Sequence, residues 1–274
     1  MATVAEKLTF KERPPDLLLG TPRAHAIDRW IFVITALWFV AIVLTGFIPD
    51  SLMKIVAVEG GQRPPFPIVM HMHAALMGSF MLLLLTQTTL VATGRCDLHQ
   101  RVGRAGMILV PLLVLVGLVL VPTIYHSVAH AAQSAPAPVA ANMKHRLTEL
   151  DNIMLFQLRI GILFPLFLFI GLRARKVDSG LHKRMMILGT AVALPAAIDR
   201  MTWLPSTLPA NPLSTEFYVL LAVSPMFAWD VIRNRRIHEA YWIWIGISLP
   251  FAILTYSVWD RPWWHSLVPR IMGI

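Results

Sequence analysis

Long apolar runs alternate with short polar connections along the chain. A membrane-spanning helix needs roughly 20 mostly apolar residues to cross about 30 Å of hydrocarbon. Seven stretches meet this requirement, and we place them near residues 30–48, 67–93, 105–126, 152–172, 185–203, 215–231 and 239–258. The pattern predicts an all-α membrane bundle of seven helices, with residues 1–29 as a polar tail before it and residues 259–274 as a tail after it.

The composition indicates the same class of protein. Hydrophobic residues make up 56% of the chain and charged residues 14%, whereas a soluble domain carries about a quarter charged residues. The chain has one cysteine, Cys96, which excludes a disulfide within the chain and a zinc or iron–sulfur site built on several cysteines. The connection at residues 131–142 is rich in alanine and proline, and we expect it to be extended or loosely ordered.

Basic residues are divided unequally between alternate connections. One set contains sixteen of the 24 lysines and arginines, namely Lys7, Lys11, Arg13, Arg23, Arg29, Arg95, Arg101, Arg104, Arg173, Arg175, Lys176, Lys183, Arg184, Arg233, Arg235 and Arg236. The other set contains seven, namely Lys54, Arg63, Lys144, Arg146, Arg200, Arg261 and Arg270. Because cytoplasmic loops are enriched in Lys and Arg, the first set predicts the cytoplasmic side and a cytoplasmic N-terminus. The net charge of +9 is then expected at the surface of a bacterial-type inner membrane, and no nucleic acid is expected as a partner.

Two of the basic turns carry a short internal repeat. Residues 97–101 read DLHQR and residues 180–184 read GLHKR, so that Leu-His-x-Arg stands at the start of the following helix in both places. The arginines and lysines around His99 and His182 favour contact with lipid phosphates for these two histidines. A haem held between the two histidines is the alternative.

Four further histidines, His71, His73, His126 and His130, lie near the outer ends of the second and third predicted helices. His126 and His130 are four residues apart and share a helical face, whereas His71 and His73 are two apart and diverge. Other polar residues are predicted at the same level, namely Asp151, Asn152, Gln157, Arg159, Asp199, Arg200 and Glu216. Since ionisable groups at membrane depth usually face the interior of the bundle with a partner, we expect a polar chamber below the outer surface.

Three interpretations of this chamber remain open. In the first, the four histidines bind a cofactor, with His71, His126 and His130 as ligands of copper or iron, or two of the histidines as ligands of a b-type haem. In the second, Arg159 and Arg200 clamp the anionic group of a substrate or a lipid. In the third, Arg159 pairs with Asp151 or Asp199, and the histidines only contact lipid headgroups or carbonyl groups.

The motifs carry two resemblances. His71, Gln87, the run His99-Gln100-Arg101-Val102-Gly103, the run starting at His182 and Arg200 resemble a family of predicted bacterial membrane proteins of unknown function, over residues 66–203. Histidines at both ends of a central four-helix set are also similar to the layout of transmembrane b-type cytochromes, although the fourth predicted helix contains no histidine.

The second resemblance implies a redox or respiratory role. The alternatives are an accessory or assembly subunit of a larger membrane complex, and a small-molecule transporter or lipid-handling enzyme. The expected partners are the lipid bilayer and, for the accessory role, the other subunits of that complex.

Overall fold

The computed structural model describes residues 16–19, 25–134 and 136–274, and every regular element in these ranges is helical. A 3-10 turn at Leu17–Leu19 precedes the helices, which are α1 (Ala26–Glu59), α2 (Ile68–Ala92), α3 (Cys96–Ser134), α4 (Ala137–Ala174), α5 (Ser179–Ala191), α6 (Pro195–Ile198), α7 (Leu213–Asn234), α8 (Glu239–Val258) and α9 (Pro262–Met272). The predicted all-α class is confirmed. Four basic residues of the predicted cytoplasmic set, Lys7, Lys11, Arg13 and Arg23, lie outside the described residues.

Six helices of the described chain are long and apolar enough to cross a membrane, namely α1, α2, α3, α4, α7 and α8. The fifth predicted segment, residues 185–203, is different because it is divided between α5, with 13 residues, and α6, with four. Pro195 lies at the division, where its ring and its missing N–H prevent a continuous helix. Neither part alone is long enough to span the hydrocarbon layer.

α5 and α6 lie at the centre of the bundle. α5 packs against α1, α4, α7 and α8, and α6 packs against α1 and α7. The side chains of Met185, Ile187 and Leu188 are fully buried. An interrupted helix is tolerated at membrane depth when protein surrounds it. The backbone N–H and C=O groups that lose their helical partners then face neighbouring helices and not lipid.

α3 and α4 are much longer than a bilayer requires. They contain 39 and 38 residues, which at 1.5 Å per residue correspond to roughly 58 Å. The prediction that residues 131–142 are extended or loosely ordered is wrong, since α3 continues to Ser134 and α4 begins at Ala137. Alanine is the strongest helix former, and Pro138 falls in the first turn of α4, where a missing N–H is harmless.

The contacts between helices define two ends of the bundle. The basic end, as we name it, comprises the 3-10 turn and the connections 93–95, 175–178 and 235–238. The opposite end comprises the connections 60–67, 199–212 and 259–261 together with α9, a helix within the predicted outer tail. Each end joins residues that are far apart in sequence. Arg184 donates to Asp16 at the basic end, and Arg200 donates to Asp50 nearer the opposite end.

A buried group of charges joins the 3-10 turn to the basic end. Arg184 of α5 donates two hydrogen bonds to Asp230 of α7, with Nε–Oδ2 and Nη2–Oδ1 distances of 2.5 and 2.8 Å. Nη1 of the same guanidinium donates to Asp16 Oδ2 over 2.7 Å. Two carboxylates therefore share one cation, and Leu18 beside them is only 2% exposed.

A close approach between α1 and α6 gives the first prediction. A Cβ atom added to Gly46 would overlap the carbonyl group of Ala197, which is backbone and cannot rotate away. We expect Gly46→Ala to destabilise the bundle by roughly 3 kcal/mol, the upper part of the range for overpacking. Thermal unfolding in detergent micelles measures the change. Gly117→Ala on α3, where no atom lies within 4 Å of the new methyl, is the matched control, and equal melting temperatures for both variants would contradict the packing.

Candidate functional site

The histidines of the predicted outer site do not converge. His71, His126 and His130 are exposed and His73 is half-buried, and the ring of His71 packs edge-on against Phe66. Among the residues that the structure describes, no three His, Cys, Asp or Glu side chains lie close enough together to hold a metal. The predicted ligand set His71, His126 and His130 is therefore not assembled.

The orientation of α3 explains the difference. His126 and His130 share one face of the helix, as their spacing predicts, but both are exposed on it. The buried face of α3 at this level carries Tyr125, Ala129 and Ala132. One residue corresponds to about 100° of rotation around a helix, so the histidines stand just beyond the face that packs.

The predicted supporting residues form separate groups. Arg159 pairs with Glu216 through two hydrogen bonds, and Arg200 bonds Asp50. The predicted pairing of Arg159 with Asp151 or Asp199 is thus wrong, and both arginines already have a carboxylate partner within the chain. The remaining members are dispersed, with Asp151 and Asn152 buried, Gln157 half-buried and Asp199 exposed.

A large cavity lies instead at the basic end. It has a volume of about 1040 Å³, at the upper end of the range of roughly 300–1,000 Å³ that is usual for small-molecule and cofactor sites. Its apolar walls come mainly from α2 and α3, with residues such as Phe80 and Val110, and α1 adds Phe32. Its cationic lining residues are Arg29, Arg104, Arg175, Lys176 and Lys183, and the described part of the chain contributes no Asp or Glu to the lining. Its charged lining residues are thus all of one sign, beside an apolar interior.

His99 and His182 meet in the wall of this cavity. Their ring centres are 6.3 Å apart and their ring planes are inclined by 75°. Each histidine is the fourth residue of its helix, since α3 begins at Cys96 and α5 at Ser179. The Leu-His-x-Arg repeat therefore places two first-turn histidines on different helices, as predicted, and the tertiary structure brings the two rings together.

Backbone groups orient both imidazoles. His182 Nδ1 lies 2.8 Å from the carbonyl oxygen of Gly171 in α4, and because that oxygen only accepts, a neutral His182 carries its proton on Nδ1 and has an unprotonated Nε2. The side-chain amide of Gln87 lies against the first turn of α3. In the amide orientation that pairs donors with acceptors, its nitrogen donates to the His99 carbonyl oxygen over 3.0 Å and reaches His99 Nδ1, while its oxygen accepts from the N–H of Gly103.

Sequence reasoning ranked His99 and His182 below the outer histidines because of the basic residues around them. The signal that could have identified them was present in the repeat and in Gln87, a polar side chain deep in an apolar helix. The sequence did not indicate that the two turns meet in space, because His99 and His182 are 83 positions apart along the chain.

Comparison with known proteins adds no assignment, since no family model, no curated protein and no solved structure matches the chain.

Proposed function

We propose that this chain is a multi-pass protein of the bacterial inner membrane that binds a b-type haem between His99 and His182 and serves a membrane redox or respiratory system. The observation that carries the proposal is the meeting of two imidazoles from different helices in the wall of a cofactor-sized cavity. The outer histidines have no part in it.

Seven crossings and a cytoplasmic N-terminus belong to the same proposal. α5, the turn after it and α6 together run from Gly180, beside Asp16 at the basic end, to Arg200, which bonds Asp50 in the second half of α1. This path supports a seventh crossing made of two short helices. The excess of Lys and Arg at the basic end supports a cytoplasmic position for that end and for the cavity.

The spacing of the two rings supports an ion between them. Histidine nitrogens bind metal ions at about 2.0–2.1 Å, so two imidazoles that held one ion would have to lie close together. The ring centres of His99 and His182 are 6.3 Å apart. The contact of His182 Nδ1 with a carbonyl oxygen is the arrangement that usually fixes a metal-binding histidine.

The charges of the cavity favour a metal bound in an anionic, largely apolar molecule. Among the described residues of the lining, a bare divalent cation would meet five cationic side chains, two imidazoles and no carboxylate. An iron porphyrin with two carboxylates fits the apolar walls, the cationic side chains and the two imidazoles of the cavity. Its apolar body suits the walls, its carboxylates suit Arg and Lys, and its iron suits imidazole. A haem bound there supplies one-electron transfer.

Gln87 has to respond to such a ligand. If Nε2 of His99 held the iron, the ring proton would be on Nδ1, and the Gln87 amide would have to present its oxygen to Nδ1 in place of its nitrogen. This rotation exchanges the two amide contacts with the backbone of α3. Gln87 would thereby influence which ring nitrogen of His99 carries the proton.

The visible spectrum of the purified protein tests the proposal. We expect a Soret band with one haem per chain, and near-complete loss of it in His99→Ala and in His182→Ala, since removing even a residue that supports a ligand weakens metal binding by about 10–100-fold. His71→Ala and His126→Ala are matched controls on exposed histidines and should keep the full band. Haem that is retained in both cavity variants, or lost only in the controls, contradicts the assignment.

Four probes added to ligand-free protein separate the contributions of iron and carboxylates. We expect haemin to bind most tightly, with weaker binding of haemin dimethyl ester, which lacks free carboxylates, and of protoporphyrin IX, which lacks iron. Copper(II) alone should bind weakly. Copper binding that depends on His99 and His182 but is not matched by haemin would assign a metal site without porphyrin, and a colourless protein that retains anionic lipid would assign a lipid site instead.

A further inference from the structure

His265 lies between two carboxylates at the opposite end of the bundle from the cavity. This residue belongs to α9, and its Nδ1 is 2.9 Å from Asp151 Oδ2 of α4. Its Nε2 is 3.0 Å from Asp260 Oδ1, in the turn between α8 and α9. Both distances are those of hydrogen bonds, so one ring bridges two acids from different parts of the chain.

This geometry determines the protonation state of the ring. An ionised carboxylate only accepts hydrogen bonds, and a neutral imidazole has one N–H to donate. With both carboxylates ionised, both contacts are satisfied together only by the imidazolium, in which both ring nitrogens are donors. Loss of the proton leaves one nitrogen lone pair facing a carboxylate oxygen, which is a repulsive contact.

The surroundings hold the carboxylate of Asp151 and the backbone of Asp260 in place. Asp151 Oδ1 accepts from the Tyr125 hydroxyl of α3 over 2.8 Å, and the backbone oxygen of Asp151 accepts from the Trp264 indole over 2.7 Å. The backbone N–H of Asp260 donates to Asn152 Oδ1 over 2.9 Å. The neighbouring cation Arg261 donates to a carbonyl oxygen of α8, and Arg146 and Glu149 further along α4 pair with each other. Asp151 and Asp260 are thus the charges that act on the ring.

We propose that Asp151, Asp260 and His265 form a proton-binding site whose bound proton holds α9 against α4. The site couples the acidity of the aqueous phase at this end of the bundle to the position of an eleven-residue helix. It is independent of the haem proposal, because it lies at the other end of the bundle and shares no residue with the cavity.

The direction of the pH dependence follows from the partners of the ring. Burial acts to lower the pKa of His265, but hydrogen bonds to Asp151 and Asp260 and their negative charges outweigh it and raise the pKa above its ordinary value. The unfolded value is about 6.5. The proton therefore stabilises the docked helix fully below about pH 6.5, and this contribution is lost as the pH rises through the higher pKa of the folded state.

A spin label on α9 tests the inference in the full chain. Cys96→Ser removes the single cysteine, and Ser266→Cys then places one label on the exposed side of α9. In nanodiscs titrated from pH 5 to 9, we expect an immobile label at low pH and a several-fold larger mobile fraction at high pH, with a midpoint above 6.5. His265→Gln should be mobile throughout, and His145→Gln on the exposed part of α4 should titrate like the parent.

Asp260→Asn provides a second, discriminating variant. Its amide can donate to an unprotonated Nε2 while Nδ1–H still donates to Asp151, so α9 should stay docked and the pH dependence should vanish. Asparagine also tolerates the positive φ of 56° at this position. A titration in Asp260→Asn equal to that of the parent, or a parent label whose mobility does not change with pH, overturns the proposal.

Discussion

Arg184→Met is expected to be among the most destabilising single substitutions in this chain. Arg184 and Asp230 are fully buried, and the Asp16 side chain is 9% exposed. Removing the arginine leaves two buried carboxylates without a counter-charge, and Tyr241, which donates to Asp230 over 2.9 Å, cannot neutralise them. Breaking a buried ion pair from one side costs about 3–5 kcal/mol, and we expect the loss to reach at least that range.

Unfolding in detergent micelles measures this loss, and a labelling experiment shows where it acts. We expect a cysteine at position 18, in the Cys96→Ser background, to be protected from maleimide in the parent and to react in Arg184→Met, because Leu18 is buried beside Asp16. Arg173→Met, an exposed arginine at the end of α4, is the control. Adding Asp16→Asn and Asp230→Asn to Arg184→Met should restore part of the stability. If the triple variant is less stable than Arg184→Met, unpaired charge is not the cause of the destabilisation.

The same group gives an acid limit to stability. Burial acts to raise the pKa of Asp16, but the hydrogen bonds and positive charge of Arg184 outweigh it and hold that pKa below its ordinary value. A depressed pKa means that the contribution is present above the unfolded value of about 3.9 and is lost as the pH falls through the folded value. The attachment of the 3-10 turn should therefore persist at mildly acidic pH.

The second large effect is expected at the ion pair between α4 and α7. Arg159 and Glu216 make two hydrogen bonds, and their side chains are 7% and 22% exposed. Glu216→Leu leaves a guanidinium unpaired at membrane depth, and we expect a loss of about 3 kcal/mol, towards the lower part of the range for buried pairs because Glu216 is partly open. The double variant Arg159→Leu/Glu216→Leu should recover most of that loss, since replacing both partners by apolar residues is often neutral.

A double-mutant cycle by thermal unfolding in nanodiscs measures this coupling. Lys54→Leu is the comparison variant, because Lys54 is 36% exposed, its partner Asp50 keeps Arg200 as a second partner, and partly exposed pairs contribute about 0–1 kcal/mol. If Glu216→Leu lowers the free energy of unfolding no more than Lys54→Leu does, the Arg159–Glu216 pair is not shielded from water, which contradicts the structure. A strong coupling also excludes Arg159 as a free anion clamp.

The sequence alone determined the apolar segments and the division of basic residues between alternate connections. Both are local properties, because the thickness of the hydrocarbon layer sets the length of an apolar run without reference to its neighbours. The Leu-His-x-Arg repeat likewise placed His99 and His182 in first turns, since helix starts depend on nearby residues. Six of the seven predicted segments accordingly coincide with long apolar helices.

The tertiary structure alone decided which side chains meet. The rotation of α3 turned His126 and His130 outward, and Pro195 divided the fifth segment at a position where α1 and α7 cover the break. The partners of Arg159, Arg184 and Arg200 come from other helices, and so does the approach of His99 to His182. These contacts depend on how each helix is rotated and on which helix it packs against. The pattern of apolar residues along a lipid-facing helix determines neither its rotation nor its neighbour, because lipid and neighbouring helices are equally apolar.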